Sequence, residues 1–186
     1  MRALLVVDVQ NEFSPGGQRE IAQYAPAVAQ ILRHVEAARR EHRPIAWVQH
    51  HNQPHESRAF VPGTWGAALP PGLGPVAGGG PERLFVKDVS GAFGATDLEA
   101  WLRDLEVTSL LIVGFYAHLC LSTTTREALS LGFDVQVDPE ATGARDLEDP
   151  VLGRLTAEEV RRSALLHLVH MGATVVRSTA PTTLPG

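Results

Sequence analysis

Six short apolar runs punctuate this chain, at 3–9, 45–49, 84–87, 110–114, 133–137 and 174–177. They are dense in Val, Ile, Leu and Phe and show little alternation, the pattern of strands buried on both faces. Helical patterns lie between them. Val28, Ile31, Leu32, Val35 and Ala38 recur at the spacing of one helix face, with Pro26 where a first turn tolerates it. Thr96-Asp97-Leu98-Glu99 and Thr156-Ala157-Glu158-Glu159 each read as a capping box that opens a further helix. Gly132 and Gly172 follow helical runs, as left-handed caps should. Strands alternating with helices predict right-handed crossovers and a parallel sheet covered on both faces, which is a three-layer αβα domain of Rossmann-like type.

At 186 residues the chain is expected to form one domain over 1–186. A net charge of −5 with scattered basic residues argues against a nucleic-acid surface. The apolar stretch at the N-terminus is shorter than a signal-peptide core and is broken by Asp8, and no segment approaches the roughly 20 apolar residues of a membrane span. One cysteine and no export signal point to a cytoplasmic protein without membrane partners. The stretch 50–83 departs from the strand–helix rhythm: it is rich in Pro and Gly, with a turn signal near 65–69 and a loop at Gly78-Gly79-Gly80-Pro81. A segment of this length is either a lid, an oligomer contact or an inert surface excursion. Residues 180–186 read as a short tail.

Three reactive side chains fall at predicted strand ends. Asp8 closes the first run, Lys87 the third, and Cys120 follows the fourth, within Gly114-Phe115-Tyr116-Ala117-His118-Leu119-Cys120, where a strand gives way to a helix. Each alone has an ordinary reading: a carboxylate capping a turn, a solvated lysine, a small buried thiol. Together they would meet at the carboxyl edge of the sheet, where open α/β folds bind ligands, and form a workable nucleophilic site. A thiol at a helix N-terminus is expected to have its pKa lowered from about 8.5 toward neutrality.

The order and spacing of these motifs resemble the isochorismatase-like cysteine hydrolases, the superfamily of nicotinamidases, carbamoyl-amide and ureido-amide hydrolases and isochorismatases. The resemblance is carried by Asp8-Val9-Gln10-Asn11-Glu12-Phe13, by Lys87 with Ala92-Phe93 and Thr96-Asp97-Leu98, and by Gly114 through Cys120 with Thr124 and Ala128. Gly132 and Asp138 add a helix end and a strand-end aspartate. It implies a six-stranded parallel sheet of order 3-2-1-4-5-6 and a triad of Asp8, Lys87 and Cys120. In that scheme Asp8 takes the thiol proton, Lys87 stabilises both anions, and Cys120 attacks a carbonyl or carbamoyl carbon. Asp8 then protonates the departing amine, and a water hydrolyses the thioester. It further implies a cis peptide between Phe115 and Tyr116, with the N–H groups of Tyr116 and Cys120 facing the oxyanion. The implied reading is a cofactor-independent hydrolase of a small amide, carbamoyl or ureido substrate, assembled as a homodimer or larger homo-oligomer.

Some residues depart from the best-known members. Nicotinamidases carry a metal site in an Asp-x-His pattern after the second strand; here Gln49-His50-His51-Asn52-Gln53-Pro54-His55 places His50 and Asn52 at those positions, so no metal is assigned. Tyr116-Ala117-His118 resembles instead the isochorismatases that cleave a vinyl ether, which carry Gly where this chain has Cys120 and use an aspartic acid as proton donor. Vinyl ether cleavage without the thiol therefore stands as an alternative, as does a non-catalytic protein that keeps the fold. Gln10, Phe13, Trp65, Phe93 and Tyr116 are the candidate pocket residues, although ordinary packing is the usual role of such aromatics. His118 either orients a substrate or holds the turn by hydrogen bonds.

Overall fold

The computed structural model describes residues 1–78, 80–94 and 96–176. Gly79 of the predicted glycine loop, the end of the last predicted run at Arg177 and the tail at 180–186 lie outside the described residues. The six strands of the main sheet are β1 (Arg2–Val7), β2 (Ile45–His50), β3 (Glu82–Lys87), β4 (Ser109–Gly114), β5 (Asp134–Thr142) and β8 (Thr174–Val175). They pair in parallel in the order β3-β2-β1-β4-β5-β8, the expected topology. The last of them is β8 because a short antiparallel hairpin, β6 (Leu147–Asp149) and β7 (Gly153–Leu155), intervenes.

Both faces of the central strands are covered. Leu4, Val6, Ile45, Trp47, Leu111 and Val113 face α1 (Tyr24–Arg40), which contributes Ala27, Ile31, Val35 and Ala38. The alternate residues Leu5, Val7, Ala46, Val48, Leu110 and Ile112 face α2 (Leu98–Asp104), α3 (Cys120–Ser130) and α4 (Ala157–His170). Neither face is solvated, so the central strands show no polar alternation.

Three local expectations need correction. The run at 84–87 is not buried on both faces: β3 is the sheet edge, and Leu84 and Val86 are exposed while Phe85 and Lys87 point inward. The capping box at Thr96 does not form. The Thr96 hydroxyl accepts from the Leu98 N–H at 3.1 Å and donates to the Ala92 carbonyl at 2.7 Å, while Glu99 turns to Arg103. The second box does form, with Thr156 and Glu159 satisfying each other's N–H groups. Asp138 lies in the middle of β5 rather than at its end, where the β4 register jumps from Ile112 opposite Val137 to Gly114 opposite Thr142. No helix among the described residues is long and apolar enough to cross a membrane.

Candidate active site

The sheet's strand order reverses between β1 and β4, and both Asp8 and Cys120 emerge there. Asp8 leaves β1 with φ +52°, a left-handed conformation that a short polar side chain tolerates better than most. Its N–H still bonds the Val48 carbonyl at 2.9 Å, so the chain turns only after the carboxylate is placed. Lys87 ends β3, opposite His50 in the parallel register of β2 and β3. Its ammonium donates to Asp8 Oδ2 at 2.8 Å, to the Val89 carbonyl at 3.1 Å and to His50 Nδ1 at 3.3 Å. All three donors are thereby used in a site where the Lys87 and Asp8 side chains are sealed from solvent. An ammonium has no lone pair, so Nδ1 must accept, and the ring proton lies on Nε2, which donates to Asn52 Oδ1 at 2.7 Å. Asn52 is oriented in turn by donating its amide to the Ala59 carbonyl at 3.0 Å.

Cys120 is the first residue of α3, and its Sγ, an Asp8 carboxylate oxygen and a His50 ring nitrogen all lie within 4.8 Å of one another. Asp8 Oδ1 is buried without a hydrogen-bond partner among the described residues. The expected low thiol pKa is overturned. Burial pushes Cys120 up to about 12, the Asp8 carboxylate adds to the rise, and Lys87 only partly opposes it. At rest the sulfur therefore carries its proton. Backbone N–H groups of Tyr116 and Cys120 donate to no protein acceptor among the described residues, and the Phe115–Tyr116 peptide is cis.

A cavity of about 240 Å³ opens on this cluster. Asp8 and Cys120 line it, with Phe13, Phe60, Tyr116 and Leu119 as apolar wall. His50, Asn52, Ser90, Arg19 and Arg145 complete the lining. Phe13 lies edge-on to Tyr116 at 4.7 Å and tilted to Phe60 at 5.2 Å.

Of the predicted pocket residues, Phe13 and Tyr116 are in this wall and four are elsewhere. Gln10 is buried behind it: its amide accepts from the His50 N–H at 2.9 Å and donates to the His50 carbonyl at 2.9 Å and the Ala67 carbonyl at 2.7 Å. Trp65 is 58% exposed and contributes its carbonyl to Asn11. Phe93 packs on Phe133 in the core. His118 stacks on Tyr116 but lines a second cavity with Ser122, Arg126 and His167, and its buried Nδ1 has no partner among the described residues.

Sequence reasoning missed His50, Asn52, Phe60, Ser90, Leu119, Arg19 and Arg145 as site residues. The pairing of His50 with Lys87 was the one available signal, since two adjacent parallel strands of equal length end together. Part of the long excursion is tied to the turn after β1 and lines the cavity. The Asn11 and Glu12 N–H groups bond the Ala68 and Gly66 carbonyls, and Glu12 Oε1 accepts from the Phe60 N–H, which together fix Asn52 and Phe60 against the cavity.

Asp8, His50 and Cys120 are the group of possible metal ligands among the described residues. They do not fit an ion, because the Lys87 ammonium already bridges Asp8 and His50. His55 is exposed, and neither it nor His51 joins such a group.

A parallel sheet with an acid, a lysine and a thiol gathered at its switch point defines a three-layer α/β hydrolase. Residues 2–180 match the family model for the isochorismatase domain, and the chain belongs to the isochorismatase family. The uncharacterized isochorismatase family protein YrdC of Bacillus subtilis is 31% identical, over 88% of this chain and 87% of its own. The nicotinamidase/pyrazinamidase of Mycobacterium tuberculosis is 28% identical, over 91% of this chain and 98% of its own. Among solved structures, an isochorismatase from Pseudomonas putida KT2440 superposes with a TM-score of 0.85 at 29% identity, over 94% of this chain and 86% of that one.

Proposed function

We propose that the chain is a cysteine hydrolase of a small C–N substrate, an amide, carbamoyl or ureido compound, working through a thioester on Cys120. The observation that carries this reading is the buried Asp8 carboxylate, held at Oδ2 by Lys87 and left open at Oδ1, within 4.8 Å of a thiol that lines the cavity. A thiol held up at about 12 needs a base at the moment of attack, and Asp8 Oδ1 is the one at hand. As sulfur bonds to the carbonyl carbon, the thiol proton passes to Asp8 and the oxygen becomes an oxyanion facing the Tyr116 and Cys120 N–H groups. Collapse breaks the C–N bond, and the proton on Asp8 leaves with the amine. Water then attacks the thioester, giving its proton to Asp8, and the thiol is restored. Lys87 pairs with the buried Asp8 carboxylate at 2.8 Å, and His50, fixed by Asn52, holds the ammonium in place.

Nicotinamide and pyrazinamide, the compounds named for the mycobacterial relative, are carboxamides, which supports C–N rather than vinyl ether chemistry. The test is to incubate Cys120→Ala and Asp8→Asn variants with a panel of small amides and ureido compounds and to look for a Cys120 acyl adduct by mass spectrometry. Both variants should lose turnover, and the native chain should show the adduct. Full hydrolysis by Cys120→Ala would end the thioester mechanism, and loss in Asp8→Asn alone would favour cleavage without a nucleophile.

A further inference from the structure

Two arginines line the cavity of Cys120, and the hydrolase reading gives them no task. Each is carried by a backbone tied to the turn that holds the nucleophile. The Arg19 carbonyl accepts from the Tyr116 hydroxyl at 2.7 Å, and its N–H donates to the Glu12 carbonyl at 2.9 Å. Arg145 follows Gly143, whose carbonyl accepts from the Ala117 N–H at 2.9 Å. The segments bearing the two guanidiniums are therefore bonded to residues 116 and 117.

Neither guanidinium is in an ion pair among the described residues. The neighbouring acids are turned away. Asp146 accepts from Arg154 at 2.5 Å and from the Ala157 N–H at 2.8 Å, and Glu20 reaches the Gly16 N–H at 3.4 Å. Asp8 is the one carboxylate lining the cavity among the described residues, and Lys87 balances its charge. The chain carries −5 overall, yet this cavity has two uncompensated positive groups. Both share the cavity lining with Tyr116 and act on it electrostatically. Burial raises the pKa of the Tyr116 phenol, while Arg145 and Arg19 act to lower it; His118, depressed first by burial, is depressed further by Arg145.

Arg145 is exposed and Arg19 half-buried, whereas Asp8 is only 1% exposed, so positive charge marks the outer part of the cavity and the reactive groups its floor. We infer that the substrate is anionic, a small amide or ureido compound with a carboxylate that Arg19 and Arg145 grip while the C–N carbonyl meets Cys120. This rests on the hydrolase reading for the identity of the reacting group. A planar carboxylate matches the fork of a guanidinium, and a cavity of about 240 Å³ leaves space for a carboxylate only a few bonds from the scissile carbonyl.

The experiment compares charged and uncharged isosteres on the full chain: succinamate with 4-oxopentanamide, and N-carbamoylglycine with 2-oxopropylurea. The native chain should prefer the charged member of each pair by about tenfold or more in kcat/KM, from the strength of charge-assisted hydrogen bonds. In an Arg19→Gln, Arg145→Gln double variant that preference should fall toward one, chiefly through KM. Calorimetric binding of succinamate and 4-oxopentanamide to Cys120→Ala reads the same preference without turnover. A native ratio near one, or a ratio unchanged in the double variant, overturns the inference. If none of the four is hydrolysed, the binding ratio still decides whether the arginines select an anion, separately from the acyl-adduct test of the hydrolase reading.

Discussion

Lys87 Nζ lies 2.8 Å from Asp8 Oδ2, with neither side chain more than 1% exposed, so each charge is the other's solvent. Buried pairs of this kind add little net stability relative to a well-packed apolar pair, but breaking one from a single side leaves an uncompensated charge. Lys87→Met should therefore cost about 3–5 kcal/mol in urea unfolding. Adding Asp8→Asn should recover most of that loss, because an amide replaces the orphaned carboxylate. Additive losses in this cycle would show that the two groups are not coupled.

The thiol gives a prediction of opposite sign to the usual picture of an activated cysteine. Because burial and then Asp8 push Cys120 up to about 12, iodoacetamide alkylation of the native chain should be slow at pH 7 and keep rising with pH beyond 9 without a plateau. Asp8→Asn removes one cause of the rise, so it should speed alkylation at pH 8 while abolishing hydrolysis. Lys87→Met should slow alkylation. The raised pKa also bears on stability: a neutral thiol favours the fold below the ordinary cysteine value of about 8.5, and that contribution is lost as pH rises from there toward the folded value. A plateau below pH 8 in the native chain would contradict the burial argument.

The sheet was legible because its strands are covered on both faces, which leaves nearly unbroken apolar runs that periodicity can detect. Asp8, Lys87 and Cys120 were legible for a related reason: each interrupts or follows such a run, so position along the chain already implied position on one rim. His50 was visible only as a metal candidate, since its role depends on the cross-strand register with Lys87. Arg19, Phe60 and Arg145 come from irregular segments fixed by hydrogen bonds to the Tyr116 hydroxyl, the Glu12 carboxylate and the Ala117 N–H, and such contacts leave no spacing in a sequence. The thiol pKa failed for a different reason. A helix N-terminus acts within one turn and by a modest amount, whereas burial beside a carboxylate acts on the same atom more strongly and can be read only in three dimensions.

Asn52 acts through His50, as a positioning residue. Its Oδ1 accepts a hydrogen bond from the Nε2–H and so directs Nδ1 toward Lys87. Asn52→Leu removes that acceptor while filling comparable space, and about threefold to tenfold should be lost from kcat, the worth of one ordinary hydrogen bond. The alkylation profile of Cys120 should shift with it, since Lys87 is then less firmly held. Loss confined to KM, with an unchanged alkylation profile, would assign Asn52 to substrate contact instead.

Asp138 ties β5 to α1, and its chemistry predicts how the fold responds to acid. Burial alone would raise its pKa, but hydrogen bonds from His34 and Gln30 and from the Glu140 N–H outweigh that and hold the carboxyl below its ordinary range. His34 Nε2 donates to Oδ2 at 2.6 Å, Gln30 Nε2 to the same oxygen at 2.7 Å, and Glu140 N–H to Oδ1 at 2.9 Å. A depressed folded pKa contributes stability above the unfolded value of about 3.9, and that contribution is lost as pH falls through the folded value. Asp138→Asn should lower stability at pH 7 by about 1–3 kcal/mol, through weaker bonds to its three donors. The deficit should narrow below about pH 4, where the native carboxyl begins to protonate and the unfolded chain no longer gains from ionising it. Urea unfolding at pH 7, 5, 4 and 3 measures this directly, and a deficit that stayed constant across the series would mean that packing at this point of β5, rather than the charge, is what Asp138 supplies.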